Sequence, residues 1–172
     1  RLSRLVRSML DISQLQEEGR IPDEKKTVFD LTECAGLVLI TFEKPITDKK
    51  LDVDVDMPGH PVYTHACEDY VTQIIYNLID NAVKFCPQGG KLGLQLRTGG
   101  NKIYFSVYNS GEPIPAEELP LLFDRFHKTD HSRSMDREGV GLGLYIVKTI
   151  LGSLKEDITV TSEDGVTQFT FT

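Results

Sequence analysis

Between Cys67 and Phe85, apolar residues recur at Val71, Ile74, Ile75, Leu78, Ile79, Ala82 and Val83. Spacings of three and four make one helix with a wide apolar face. Strand patterns lie on both sides of it. Leu51, Val53 and Val55 alternate with Asp52, Asp54 and Asp56, the mark of a half-buried strand, and a short strand covers Val62 and its neighbours. Residues 91–97 and 102–108 form a hairpin across Thr-Gly-Gly-Asn, and 157–162 and 166–172 flank a turn at Glu163-Asp164-Gly165. After a short strand at Phe29, a helix is expected over about 31–43, with Leu31, Cys34, Ala35, Val38 and Leu39 on one face. GVGLGL at 139–144 opens another helix to about Leu154. These elements predict an α/β protein, a two-layer sandwich of a mixed sheet with helices on one face.

A chain of 172 residues holds one domain of ordinary size and an appendage. In the appendage, Leu2, Leu5, Val6, Met9, Ile12 and Leu15 line a helix that ends near Gly19, expected to be the tail of a longer one. Residues 20–26, RIPDEKK, read as a linker, and the domain proper covers 27–172. The chain starts at Arg1 without methionine, which suggests a piece of a longer protein. Nineteen Lys and Arg against 26 Asp and Glu give a net charge of −7, which argues against nucleic acid and anionic lipid as partners but leaves room for a small-anion site. Three separated cysteines, Cys34, Cys67 and Cys86, read as buried, reduced thiols of a cytoplasmic protein. No run approaches the roughly 20 apolar residues of a membrane span.

Asn77, Asn81 and Lys84 fall at i, i+4 and i+7, one stripe opposite much of the apolar face. An amide oxygen suits Mg²⁺ and a lysine suits phosphate, although a solvated helix face would look the same. GVGLGL lacks both the preceding buried strand of a dinucleotide fingerprint and the Gly-Lys-Ser/Thr of a Walker loop. It remains either an anion-binding helix start or a plain one. NSGEPIP at 109–115 is a Pro/Gly turn that interrupts its strand, and a short helical stretch runs to about Phe123. DRFHKTDHSRSMDRE at 124–138 is too polar and aperiodic to pack, and is expected to be a mobile loop.

In order, these segments resemble the ATP-binding domain of sensor histidine kinases, within the superfamily of gyrase, heat-shock chaperone, histidine kinase and mismatch-repair ATPases. QIIYNLIDNAVKF at 73–85 is similar to its N box and VYNSGEPIP at 107–115 to its first glycine box. LFDRF at 122–126 is similar to its F box, and GVGLGLYIVK at 139–148 to its second glycine box. RSMLDISQL at 7–15 resembles the end of the dimerisation helix. The resemblance implies a Bergerat-type fold with a mostly antiparallel sheet, binding ATP and Mg²⁺. It implies Asn81 on the metal, and Asn77, Lys84 and Lys128 at the phosphates as the catalytic set. Phe85, Asn109, Gly111 and Ile114 would border the nucleotide. Gly139, Gly141 and Gly143, with the N–H groups around Leu142 and Leu144, would wrap the triphosphate under a lid formed by 124–138. Phe123 and Phe126 would anchor that lid.

Two positions depart from the family: Asn109 stands where an aspartate accepts from the adenine amino group, and Pro113 replaces a glycine. An asparagine could accept from adenine or, turned over, donate to guanine. ATPases of the superfamily carry a glutamate base at the position of Asn77, and an amide cannot take a proton from water. The resemblance therefore implies a protein-histidine kinase. His60, His65, His127 and His131 do not sit in a helical, acid-flanked setting, so the acceptor is expected upstream of Arg1. Implied partners are the chain's own dimerisation domain, a response regulator receiver domain and, in the full-length protein, a second copy; the piece itself would be monomeric. The implied location is the cytoplasmic part of a membrane-anchored sensor. The alternatives are a catalytically idle nucleotide-binding module and a docking domain without nucleotide.

Overall fold

The computed structural model describes residues 2–129 and 141–172. Its helices are α1 (Leu2–Glu18), α2 (Leu31–Ile40), α3 (Glu43–Asp48), α4 (Glu68–Phe85) and α5 (Gly143–Ser153). Its strands are β1 (Thr27–Asp30), β2 (Asp52–Asp56), β3 (Tyr63–Ala66), β4 (Lys91–Gly99), β5 (Lys102–Ser110), β6 (Ile158–Glu163) and β7 (Val166–Phe171). Five strands form one sheet in the order β2-β4-β5-β7-β6, with only β2 and β4 parallel, while β1 and β3 pair separately.

All seven residues of the apolar stripe of α4 are buried. They meet the inner face of the sheet, made of Leu92, Leu94, Leu96, Phe105, Val107, Ile158, Phe169 and Phe171, all buried at alternate positions. Ile146, Val147, Ile150 and Leu151 of α5 complete the same core. Fully burying one such side chain contributes about 1.5–3 kcal/mol. This layer is what holds the polar stripe of α4 in place.

The helix expected over 31–43 stops at Ile40, and a second helix that was not expected starts at Glu43. Thr41 Oγ1 donates to the Val38 carbonyl at 2.6 Å, and Phe42 turns inward onto Tyr76, with ring centroids 4.9 Å apart. Pro45 falls in the first turn of α3, where its missing N–H costs nothing; in a continuous helix it would break the ladder. The strand of alternating aspartates is shallower than its pattern suggests. Its place is the sheet edge, and Val55 is 44% exposed.

The 91–108 hairpin is longer than expected at both ends. Gly99 pairs with Lys102, so the turn is only Gly100-Asn101, with Gly100 at φ +58°. At the other end Asn109 and Ser110 stay in the sheet opposite Thr167 and Val166, and the turn begins at Gly111. The stretch before Phe123 is a short 3-10 turn at Leu119–Leu121.

α1 packs on α5 through its last turns, where Ile12 and Leu15 are buried and Gln16 Nε2 donates to the Tyr145 hydroxyl at 2.6 Å. Val6 and Met9 of the same stripe are exposed. Residues 20–26 contain a 3-10 turn and send Ile21 into the core. Among the described residues, no helix is long and apolar enough to cross a membrane.

Candidate functional site

Asn77, Asn81 and Lys84 lie half-buried along α4. Asp80, which the sequence pattern did not single out, holds the Lys84 ammonium at 2.8 Å across one helical turn. Both side chains are about a third exposed, so the pair is worth well under 1 kcal/mol, and its effect is to orient the lysine. Asn77 Nδ2 is buried and has no hydrogen-bond partner among the described residues. An orphaned donor of this kind costs about 1–3 kcal/mol and suits an incoming acceptor.

The N-terminus of α5 arrives beside that amide: a Cβ on Gly143 would sit 3.8 Å from Asn77 Oδ1. Leu142, the buried N-cap residue, gives no side-chain cap. Its carbonyl receives the Ile146 N–H, so the N–H groups of Gly143, Leu144 and Tyr145 precede the helical ladder. Donors without a partner among the described residues and the positive end of the helix dipole favour an anion. Gly141 has φ +72°, and a Cβ there would lie 2.8 Å from the His127 carbonyl and 3.1–3.2 Å from Phe126 backbone atoms. The Gly141 carbonyl accepts the Phe126 N–H at 3.1 Å. Gly139 and His131 lie outside the described residues, as does the expected lid from 130 to 138.

The F-box aromatics differ from one another. Phe123 packs edge-on against Phe169 with centroids 6.0 Å apart. Phe126 is 55% exposed, with the Arg125 guanidinium 5.5 Å from its ring and from that of Tyr145. His127 Nε2 is buried without a partner among the described residues, and Lys128 follows it, half-buried.

Asn109 marks the other end. It continues the inner-face series Phe105, Val107, is 5% exposed, and stands between Leu92 and Thr167 on the neighbouring strands. Its Nδ2 donates to the Ser110 carbonyl at 3.0 Å, which leaves the amide oxygen as the acceptor. Beside it, Gly111 has φ +153°, and a Cβ there would lie 3.3 Å from the Phe85 carbonyl. The Ile114 N–H donates to Ser162 Oγ at 2.8 Å, and Ser162 shares a 2.8 Å hydrogen bond with Thr167. Sequence reading missed both hydroxyls. The available signal was Thr167, a polar residue at an inner-face position of a strand that continues with Phe169 and Phe171.

The structure thus brings Asn77 to Gly143 at one end, and Phe85, Asn109 and Gly111 together at the other. Residues 66–172 match the family described as histidine kinase-, DNA gyrase B- and HSP90-like ATPase, and the chain belongs to that family. Along its whole length it is 32% identical to the sensor histidine kinase CusS of Escherichia coli K12, covering 35% of that protein. It spans about a third or less of the curated relatives it matches. The solved catalytic domain of the histidine kinase ThkA superposes with a TM-score of 0.76 at 27% identity, over 85% of this chain and 93% of that one. ThkA in complex with the response regulator TrrA gives 0.78 at 25% identity, over 99% of this chain and 47% of that one. The two-layer sandwich is accordingly the Bergerat fold, and the domain is of the ATP-binding, sensor histidine kinase type.

Proposed function

We propose that the chain binds Mg²⁺-ATP and, within a longer protein, delivers the γ-phosphoryl group to a histidine upstream of Arg1, for relay to a response-regulator aspartate. The observation that carries this reading is the meeting of the α5 N-terminus, which has no side-chain cap among the described residues, with the buried Asn77 Nδ2, which has no partner among them. The site fits its ligands in two further respects. Gly111 and Gly141 occupy conformations and spaces that a side chain would spoil. Mg²⁺ also needs only one or two protein oxygens, because water and phosphate complete its shell.

Asn81 would hold the metal, which when bound neutralises charge on the phosphate oxygens. Asn77, Lys84 and Lys128 would donate to those oxygens, and Gly139, Gly141, Leu142, Gly143 and Leu144 would wrap them with backbone N–H groups. Phe85, Gly111 and Ile114 would border the base, with Asn109 Oδ1 accepting from its amino group. Asn77 offers water no base, so the chemistry is positioning of a phosphoryl group for a better nucleophile. We take residues 1–19 as the end of the dimerisation helix, 20–26 as the linker, and the intact protein as a membrane-anchored homodimer with this domain in the cytoplasm.

Titration of ATP and GTP into the parent chain and the Asn109→Asp variant, with and without Mg²⁺, tests the reading. The parent is expected to prefer ATP, because the Ser110 carbonyl engages the amide nitrogen and leaves the amide oxygen to accept. A charged acceptor gains about 1 kcal/mol over a neutral one, so the variant should bind ATP about fivefold more tightly. It also loses the bond to Ser110, so its unfolding free energy should fall by about 1–2 kcal/mol. No ATP binding by the parent would defeat the reading; weaker ATP binding by the variant would remove Asn109 from the base edge.

A further inference from the structure

We propose that Lys49 is a positioning residue for the nucleotide: from the end of α3 it fixes the last turn of α4 and so sets the base end of the site. The inference rests on the nucleotide reading above. Lys49 Nζ donates to the carbonyls of Val83 at 2.7 Å and Lys84 at 3.1 Å. The Cys86 N–H takes the carbonyl of Ala82, and the carbonyls beyond it, at the end of α4, have no backbone donor ahead of them in the helix. Many helices meet this need with a left-handed residue just beyond the end. α4 does not, since Cys86 is extended at φ −69°, ψ 127°. The lysine brings two donors and a positive charge to the negative end of the dipole. Burial pushes its pKa down, as expected for an ammonium drawn from water toward backbone carbonyls.

Lys49 is also tied to the turn that follows α4, because its carbonyl accepts the Gly89 N–H at 2.8 Å. That turn has no slack. A Cβ on Gly90 would lie 2.7 Å from Cys86 Sγ and 2.8 Å from Ser110 Oγ. Phe85, directly after the two bonded carbonyls, abuts Gly111 through its own carbonyl. Loss of the Lys49 bonds therefore loosens Phe85 and Gly111 together, whereas the Lys84 ammonium stays held by Asp80, and Asn77 lies two turns earlier on the helix.

The test compares Lys49→Met, Lys49→Gln and Lys49→Arg with the parent by titration of ATP and ADP, at a temperature where circular dichroism shows each folded. Lys49→Met should weaken ATP and ADP by the same factor, about fivefold, and keep the parent's Mg²⁺ dependence. Lys49→Gln should fall between, and Lys49→Arg should restore affinity to within about twofold. If Lys49→Met does not fold, the order Arg above Gln carries the test. A Met or Gln variant that binds like the parent, or one that loses Mg²⁺ dependence or ATP alone, overturns the inference. A parent that does not bind ATP overturns the proposed function and this inference with it.

Discussion

Asn81→Ala is expected to weaken Mg²⁺-ATP binding about 100-fold and to abolish its dependence on Mg²⁺. The substitution deletes the one amide oxygen assigned to the metal and leaves Asn77, one turn earlier, in place. Alanine is also the best helix former, so α4 loses no propensity. The apolar face on the far side of α4 is untouched, and the variant should melt within a few degrees of the parent. Calorimetric titration with and without Mg²⁺ reads the effect. Residual binding in metal-free buffer should match the parent's metal-free binding. A variant that still binds ATP more tightly with Mg²⁺ than without it would show that the α4 stripe is not a metal site.

Gly141→Ala should be nearly as damaging, for a steric reason. A non-glycine residue in the left-handed region costs about 1–2 kcal/mol, and φ at Gly141 is +72°. The added methyl group would also lie 2.8 Å from the His127 carbonyl, and that contact is with backbone, which cannot rotate away. The 126–127 segment must then separate from the α5 N-terminus and lose the Phe126–Gly141 hydrogen bond. ATP affinity is expected to fall more than about tenfold, with a loss of roughly 2 kcal/mol in stability. Gly143→Ala is the control. Among the described residues its Cβ would meet only Asn77 Oδ1, at an ordinary 3.8 Å, so the fold should be unaffected. Melting curves and ATP titrations on both variants decide the matter. A Gly141→Ala chain with the parent's affinity would remove the second glycine box from the site.

Periodicity made α4, both hairpins and α5 legible, because each buries one face and so repeats its apolar residues at a helical or strand interval. The break between α2 and α3 was not, since Leu39 and Phe42 continue a helical spacing and only the position of Pro45 argues against it. The depth of β2 was also hidden: alternation tells which face is inward, and not whether a strand lies at the edge. For the site, the four ordered motifs named the residues but not their meeting. Gly143 and Asn77 come together only because α4 and α5 pack side by side on one sheet. Lys49 and Ser162 act through bonds to backbone or to another side chain, which leave no spacing to read, and Thr167 alone left a sign, as a polar residue at an inward position of its strand.

On the proposed function, this domain presents a phosphoryl group to a histidine it does not itself carry. His60 and His65 are exposed, in the loop before β3 and on β3, and neither has the helical setting of an acceptor. The direct measurement is transfer from γ-³²P-ATP, in Mg²⁺, to this chain alone and to a longer protein that includes the helix pair proposed to precede Arg1. No stable label is expected on the chain alone, and acid-labile label is expected on a histidine of the added helix pair in the longer protein. Phosphohistidine on this chain alone, or a longer protein that binds ATP and hydrolyses it to free phosphate without ever carrying label, would contradict the proposed function.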